Sequence, residues 1–180
     1  MNRMNQFVTD LDQIKMLAQQ HHDDFEVLGY MLELYEDITD EQIDAWVDGV
    51  AEPIVEAIDC TQCANCCRSL DVYVTEDDAK RLTDGFHVAL DNIDTVIDHE
   101  SAEKVKEWGK FKAKPCGFLN GKLCGVYEDR PETCRTYPVF TPDFRWMMDD
   151  TIEGASICPI IFNMLIALYK DIDTGYWERH

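Results

Sequence analysis

The sequence predicts a mainly α protein, of the α+β class, with one small β-hairpin. Three observations carry this. Apolar residues recur at helical spacing through the first third of the chain and again near its end. The dipeptide Asn120-Gly121 lies between two short hydrophobic arms. The middle of the chain holds all eight cysteines and little long-range periodicity.

The N-terminal stripes come first. Phe7, Leu11, Ile14 and Leu17 share one helical face, and Phe25, Leu28, Leu32 and Tyr35 form a second. Ile43, Trp46, Val47, Val50 and Ile54 form a third, opened by Thr39 with Gln42 three residues later, a capping-box pattern. Pro53 is expected to kink or restart that helix. Val72-Tyr73-Val74 reads as a short strand, and Thr75 with Asp78 then caps a helix running to about Thr83. Residues 93–110 read as one or two helices with Val96, Ile97, Val105 and Trp108 inward. Gly117–Leu119 and Lys122–Cys124 flank Asn120-Gly121, favoured in type I′ hairpin turns. Arg130-Pro131 opens a short helix bearing Cys134, and residues 143–149 read as a strand. Pro159, suited to a first helical position, starts a last helix reaching about Lys170. A soft boundary near residue 58 divides an acidic helical N-terminal segment, 1–58, from a cysteine-rich domain, 59–180, that includes the last helix.

Charge and termini bound the function. Thirty-six acids face sixteen bases, a net charge of −20. Such a chain repels phosphate backbones and anionic membrane surfaces, so neither nucleic acid nor membrane is expected as a partner. The remaining candidates are metal ions and a basic protein docked on an acidic patch. The polar N-terminus lacks an apolar core and a small-residue cleavage site, and no apolar run reaches spanning length. The expectation is a soluble, cytoplasmic protein. In that compartment cysteines read as metal-binding or catalytic rather than disulfide-bonded.

The cysteines run Cys60-x2-Cys63-x2-Cys66-Cys67, then Cys116-x7-Cys124-x9-Cys134, then Cys158. A C-x-x-C turn sets two sulfurs at a separation that one metal or cluster can bridge. Neighbouring side chains diverge, so Cys66 and Cys67 are not expected to share an ion easily. If the segment is helical, Cys60, Cys63 and Cys67 share a face. The second group lacks the paired C-x2-C unit usual for structural zinc, and the Cys158-Pro159 pair and remote spacing lean toward iron–sulfur chemistry. Zinc and iron stay open, as do one site or two. Cys158 is expected at the N-cap of the last helix, where free N–H groups favour a thiolate. His87 is the one histidine kept as a candidate ligand. Lys104, Lys106, Lys110, Lys112 and Lys114 read as a solvated face, whereas Arg68, Arg130 and Arg135 beside cysteines read as supports for the site.

At these residues the chain resembles a family. Cys60-Thr61-Gln62-Cys63-Ala64-Asn65-Cys66-Cys67-Arg68 matches the signature of the zinc- or iron-chelating CxxCxxCC (YkgJ-type) cysteine-cluster family. Cys116-Gly117-Phe118-Leu119, Cys124-Gly125-Val126-Tyr127 and Arg130-Pro131-Glu132-Thr133-Cys134-Arg135-Thr136-Tyr137-Pro138 are similar to its second block. The resemblance implies metal chelation by Cys60, Cys63, Cys66, Cys67, Cys116, Cys124, Cys134 and Cys158. The cofactor would be zinc, iron or an iron–sulfur cluster, in a structural or metal-handling centre. A larger relative of that family, bacterial flagellin lysine N-methylase, carries a related cysteine pattern. The alternative is therefore an iron–sulfur-dependent redox or protein-modifying enzyme.

Overall fold

A computed structural model describes residues 7–86, 93–95 and 109–175. Among them are eight α-helices and two small antiparallel sheets, a mainly α protein with some β. The chain packs as two compact units, residues 1–59 with 138–180, and residues 60–137.

The first unit is helical. Helices α1 (Leu11–Gln20), α2 (His22–Leu34) and α3 (Asp40–Ala57) follow the three apolar stripes. Ile14, Phe25, Leu28, Leu32, Ile43, Val47 and Ile54 are buried, because a helix gains most of its stability by covering such a stripe. The capping box at Thr39 and Gln42 is formed in both directions. Pro53 sits inside α3, which runs on to Ala57 and is not restarted. The last helix, Pro159–Asp173, starts at the expected proline. It packs against α1, α2 and α3 and belongs to the first compact unit, whereas the sequence reading groups it with the cysteine region. The reason is apolar area: eight residues from Pro159 to Leu168 are buried, and the long stripes lie in this unit.

Two polar side chains tie this core. The Asn163 amide accepts from the Val8 N–H at 3.0 Å and donates to the Val8 and Pro159 carbonyls at 2.7 Å. Arg145 is buried, pairs with Asp40 at 2.9 Å and donates to the Tyr35 and Ile38 carbonyls. It thereby fixes the α2–α3 loop.

Residues 143–149, read as a strand, are instead a 3-10 turn, Phe144–Met147, leading into a helix, Met148–Ala155. The Asp44 carboxylate accepts the N–H groups of Asp143 and Phe144 at 2.9 and 3.0 Å. That cap from a distant helix overrides the local pattern.

The second unit is built from short pieces. Helix α4 (Asn65–Ser69) leads to strand β1 (Tyr73–Val74) and helix α5 (Glu76–Phe86). Strands β2 (Ile93–Thr95) and β3 (Gly109–Phe111) complete an antiparallel sheet ordered β1-β3-β2. The ends of the 93–110 segment are thus strands rather than helix, since β3 finds partners on both sides. Val96, Ile97, Val105 and Trp108 lie outside the described residues. A hairpin joins β4 (Leu119–Asn120) to β5 (Leu123–Cys124), and Glu132–Thr136 forms the short helix α6. The unit's small core is Val72, Val74, Ala79, Leu82, Phe111 and Val126.

The hairpin turn differs from the expected one by one residue. Asn120 pairs with Leu123, so the two loop residues are Gly121 and Lys122. Gly121 has φ +65° and Lys122 does not share the positive φ. Glycine at the first loop position fits a type II′ turn and not type I′, which needs positive φ at both.

Candidate metal centre

The C-x-x-C segment is a turn and not a helix. Cys60–Gln62 forms one 3-10 turn, and the Cys60 carbonyl accepts from the N–H groups of Cys63 and Ala64, each at 3.1 Å. Ala64 then takes a left-handed conformation, φ +54°, which breaks the helical path before α4. The shared helical face for Cys60, Cys63 and Cys67 is therefore not formed. Cys66 and Cys67 also depart from expectation. Their sulfurs lie 4.0 Å apart, because rotation about each Cα–Cβ bond brings back together what the backbone points apart.

Backbone contacts bring the later cysteines to Cys67. The Cys116 N–H donates to the Cys67 carbonyl at 2.8 Å. The Leu119 N–H donates to the Cys116 carbonyl at 3.0 Å, and Leu119 stands opposite Cys124 in the hairpin. Cys116, Cys124 and Cys134 pack against the same small core, where Phe118 meets Phe111 edge to face at 5.3 Å. Cys134 rides on α6, whose Thr133 hydroxyl donates to the Tyr73 carbonyl at 2.8 Å.

Arginines hold these pieces in place. Arg68 donates to the Cys63 and Gly121 carbonyls at 2.9 and 2.8 Å, joining the C-x-x-C turn to the hairpin tip. Arg135 donates to the carbonyls of Arg130 and Glu128. The Arg130 guanidinium lies 3.7 Å from the centre of the Tyr127 ring. Arg81 was not singled out by sequence. It pairs with buried Asp78 at 2.6 Å and donates to the Arg130 carbonyl at 2.9 Å. Burial works to raise the Asp78 carboxyl, but hydrogen bonds from Thr75, Arg81 and Glu132 hold it below its usual value. The Thr75–Asp78 pair signalled only a local cap; its second use, fixing the start of α6, has no sequence signal.

The lysines before Cys116 split. Lys114 and Lys110 lie 2.8 and 3.8 Å from the Asp71 carboxylate, and the Lys114 hydrogen bond pulls that carboxyl down. Lys104 and Lys106 lie outside the described residues, as does His87.

All eight cysteines are free thiols. The hydrogen bond from the Cys66 thiol, aided by the charges of Arg68 and Arg130, brings Cys67 down to about 6. Burial pushes Cys116 up, and charge on Cys67 or Cys124 adds to it. Burial and Cys67 do the same to Cys124. Cys134 is pushed up to about 12 by burial, then by Cys116, Cys67 and Cys124. These four thiols feel one another's charge. Without a cation, one thiolate opposes the next.

That conflict is the chemical test of fit. A bound metal cation would remove it, because it replaces the protons and neutralises the thiolates. Four sulfurs, one already acidic and three held protonated by repulsion and burial, suit a thiophilic metal. Spacing adds a second point. A tetrahedral zinc ion with Zn–S near 2.3 Å holds its sulfurs about 3.8 Å apart. Cys66 and Cys67 are near that value, but among the described residues no three cysteine sulfurs lie within 4.8 Å of one another.

Cys158 sits in the first unit. It is buried, and it is the N-cap residue of the last helix, as the sequence suggested. Among the described residues no helix is long and apolar enough to cross a membrane.

A family model, CxxCxxCC, described as "Putative zinc- or iron-chelating domain", matches residues 59–158. The match takes in the whole cysteine unit and ends on Cys158. No curated protein and no solved structure matches the chain.

Proposed function

The chain belongs to the CxxCxxCC zinc- or iron-chelating domain family, and from that premise we propose that its cysteine unit binds metal as a structural or metal-handling centre. Cys67, Cys116, Cys124 and Cys134 are the proposed inner ligands, with Cys60, Cys63 and Cys66 as further proposed donors. One observation carries this reading: Cys116, Cys124 and Cys134, from separate segments, pack against one small core that the Cys116 N–H ties to Cys67, and there burial and mutual charge oppose ionisation of all but Cys67. A resident metal supplies the positive charge and a cross-link between those segments. The protein supplies an acidic first thiol at Cys67, the directing charges of Arg68 and Arg130, and the backbone ties that hold the sulfurs together.

Cys158 is proposed as an eighth donor on one ground, its N-cap position, where a helix favours a thiolate. Loss of bound metal in Cys158→Ser is the expected result; a full complement would leave Cys158 as a core residue of the first unit.

The all-thiol donor set admits a second, finer reading. An iron–sulfur cluster distributes its thiolates over several irons and holds them farther apart than one zinc does. Anaerobic purification followed by metal and acid-labile sulfide analysis separates the two. Iron with sulfide and a broad visible absorption supports the cluster. A colourless protein with stoichiometric zinc supports the mononuclear site. Neither metal, after expression with both supplied, overturns the proposal.

A further inference from the structure

Helix α2 carries two apolar stripes, and the core uses one. Phe25, Leu28 and Leu32 are buried in the first unit. Val27, Tyr30 and Leu34 repeat the same i, i+3, i+7 spacing on the outer side, with 51%, 61% and 56% of their surface exposed. Helical packing needs one such stripe per helix. The second spans about 10 Å at 1.5 Å per residue, two turns of a facing helix.

Its border is acidic. Asp23, Glu26 and Glu33 are exposed beside it, and α2 contains no Lys or Arg. At the N-terminal end, ligand atoms of His22, Asp23 and Glu26 all lie within 4.8 Å of one another. The first unit as a whole has twenty-two acids against five bases, a net −17. A second copy would set this acidic border against itself, and an anionic lipid surface would be repelled. A basic helix matches both parts: apolar residues for the stripe, Lys or Arg for Asp23, Glu26 and Glu33.

We propose that the Val27–Tyr30–Leu34 face of α2 docks a basic amphipathic helix of a protein partner.

The probe is a labelled 16-residue peptide of Leu and Lys with leucines at i, i+3, i+4 and i+7, beside a scrambled peptide of identical composition. Fluorescence anisotropy with the full-length protein measures both. The patterned peptide should bind at least tenfold more tightly than the scrambled one. Val27→Ser/Tyr30→Ser/Leu34→Ser should erase that difference with the helical circular dichroism intact, and Asp23→Asn/Glu26→Gln/Glu33→Gln should weaken binding and its salt dependence. Equal binding of the two peptides would mean attraction to net charge alone and would overturn the proposal. So would a stable dimer in light scattering that the triple serine variant dissolves, since the occupant would then be a second copy.

Discussion

The two units solve the folding problem by different means. The first buries long stripes: Ile14, Phe25, Leu28, Leu32, Ile43, Leu165 and Leu168 are almost wholly covered. It does so despite a charge of −17, because its acids lie on the outer faces of helices. Among the described residues the second has a core cluster of six buried residues and strands of two or three residues, and its net charge is near −3. Apolar area can carry a highly charged unit, whereas the near-neutral one gathers thiols whose proposed role is a cross-link through metal.

The largest effect should come from removing that cross-link. Treatment with a strong chelator should abolish the cooperative melting of the cysteine unit and leave most helical ellipticity, which belongs to the first unit. A melting profile unchanged after complete metal loss would erase the contrast. The reverse experiment is Leu165→Ala. A cavity at this buried position should cost about 2–5 kcal/mol in the first unit, with metal per chain unchanged by elemental analysis.

How much of this was legible in the sequence follows the same division. The first unit was readable because its information is local: stripes at helical spacing and a capping box at Thr39. Its one misread element, 144–147, is set by the Asp44 carboxylate about a hundred residues away. The cysteines were readable as a group but not as a geometry. The Cys116 N–H reaches the Cys67 carbonyl across forty-eight intervening residues, and no spacing rule encodes that contact. The Asn120-Gly121 dipeptide marked the hairpin, yet pairing of Asn120 with Leu123 moved the turn by one residue. The Cys66–Cys67 approach and the Arg81–Asp78 brace depend on side-chain rotation and tertiary contact, which sequence spacing does not carry.

Acidification sharpens the comparison next. Cys67 is held down to about 6, so its thiolate is present above that value and lost as pH falls through it. Cys116, Cys124 and Cys134 are raised, and a metal must displace their protons to bind. Metal affinity should therefore fall as pH is lowered, more steeply below about 6, while the first unit keeps its ellipticity. Occupancy that stays level between pH 8 and 5 would contradict this. The smallest effect is expected at Thr39→Ala, which removes one half of a helix cap and should cost about 1 kcal/mol in the first unit alone.

The most direct measurement is metal per chain in single serine variants of the four inner cysteines, purified anaerobically beside the unaltered protein. Cys67→Ser, Cys116→Ser, Cys124→Ser and Cys134→Ser should each lose most of the bound metal while retaining the helical signal of the first unit. A full complement of metal in Cys134→Ser, the thiol most deeply set among the other three, would contradict this.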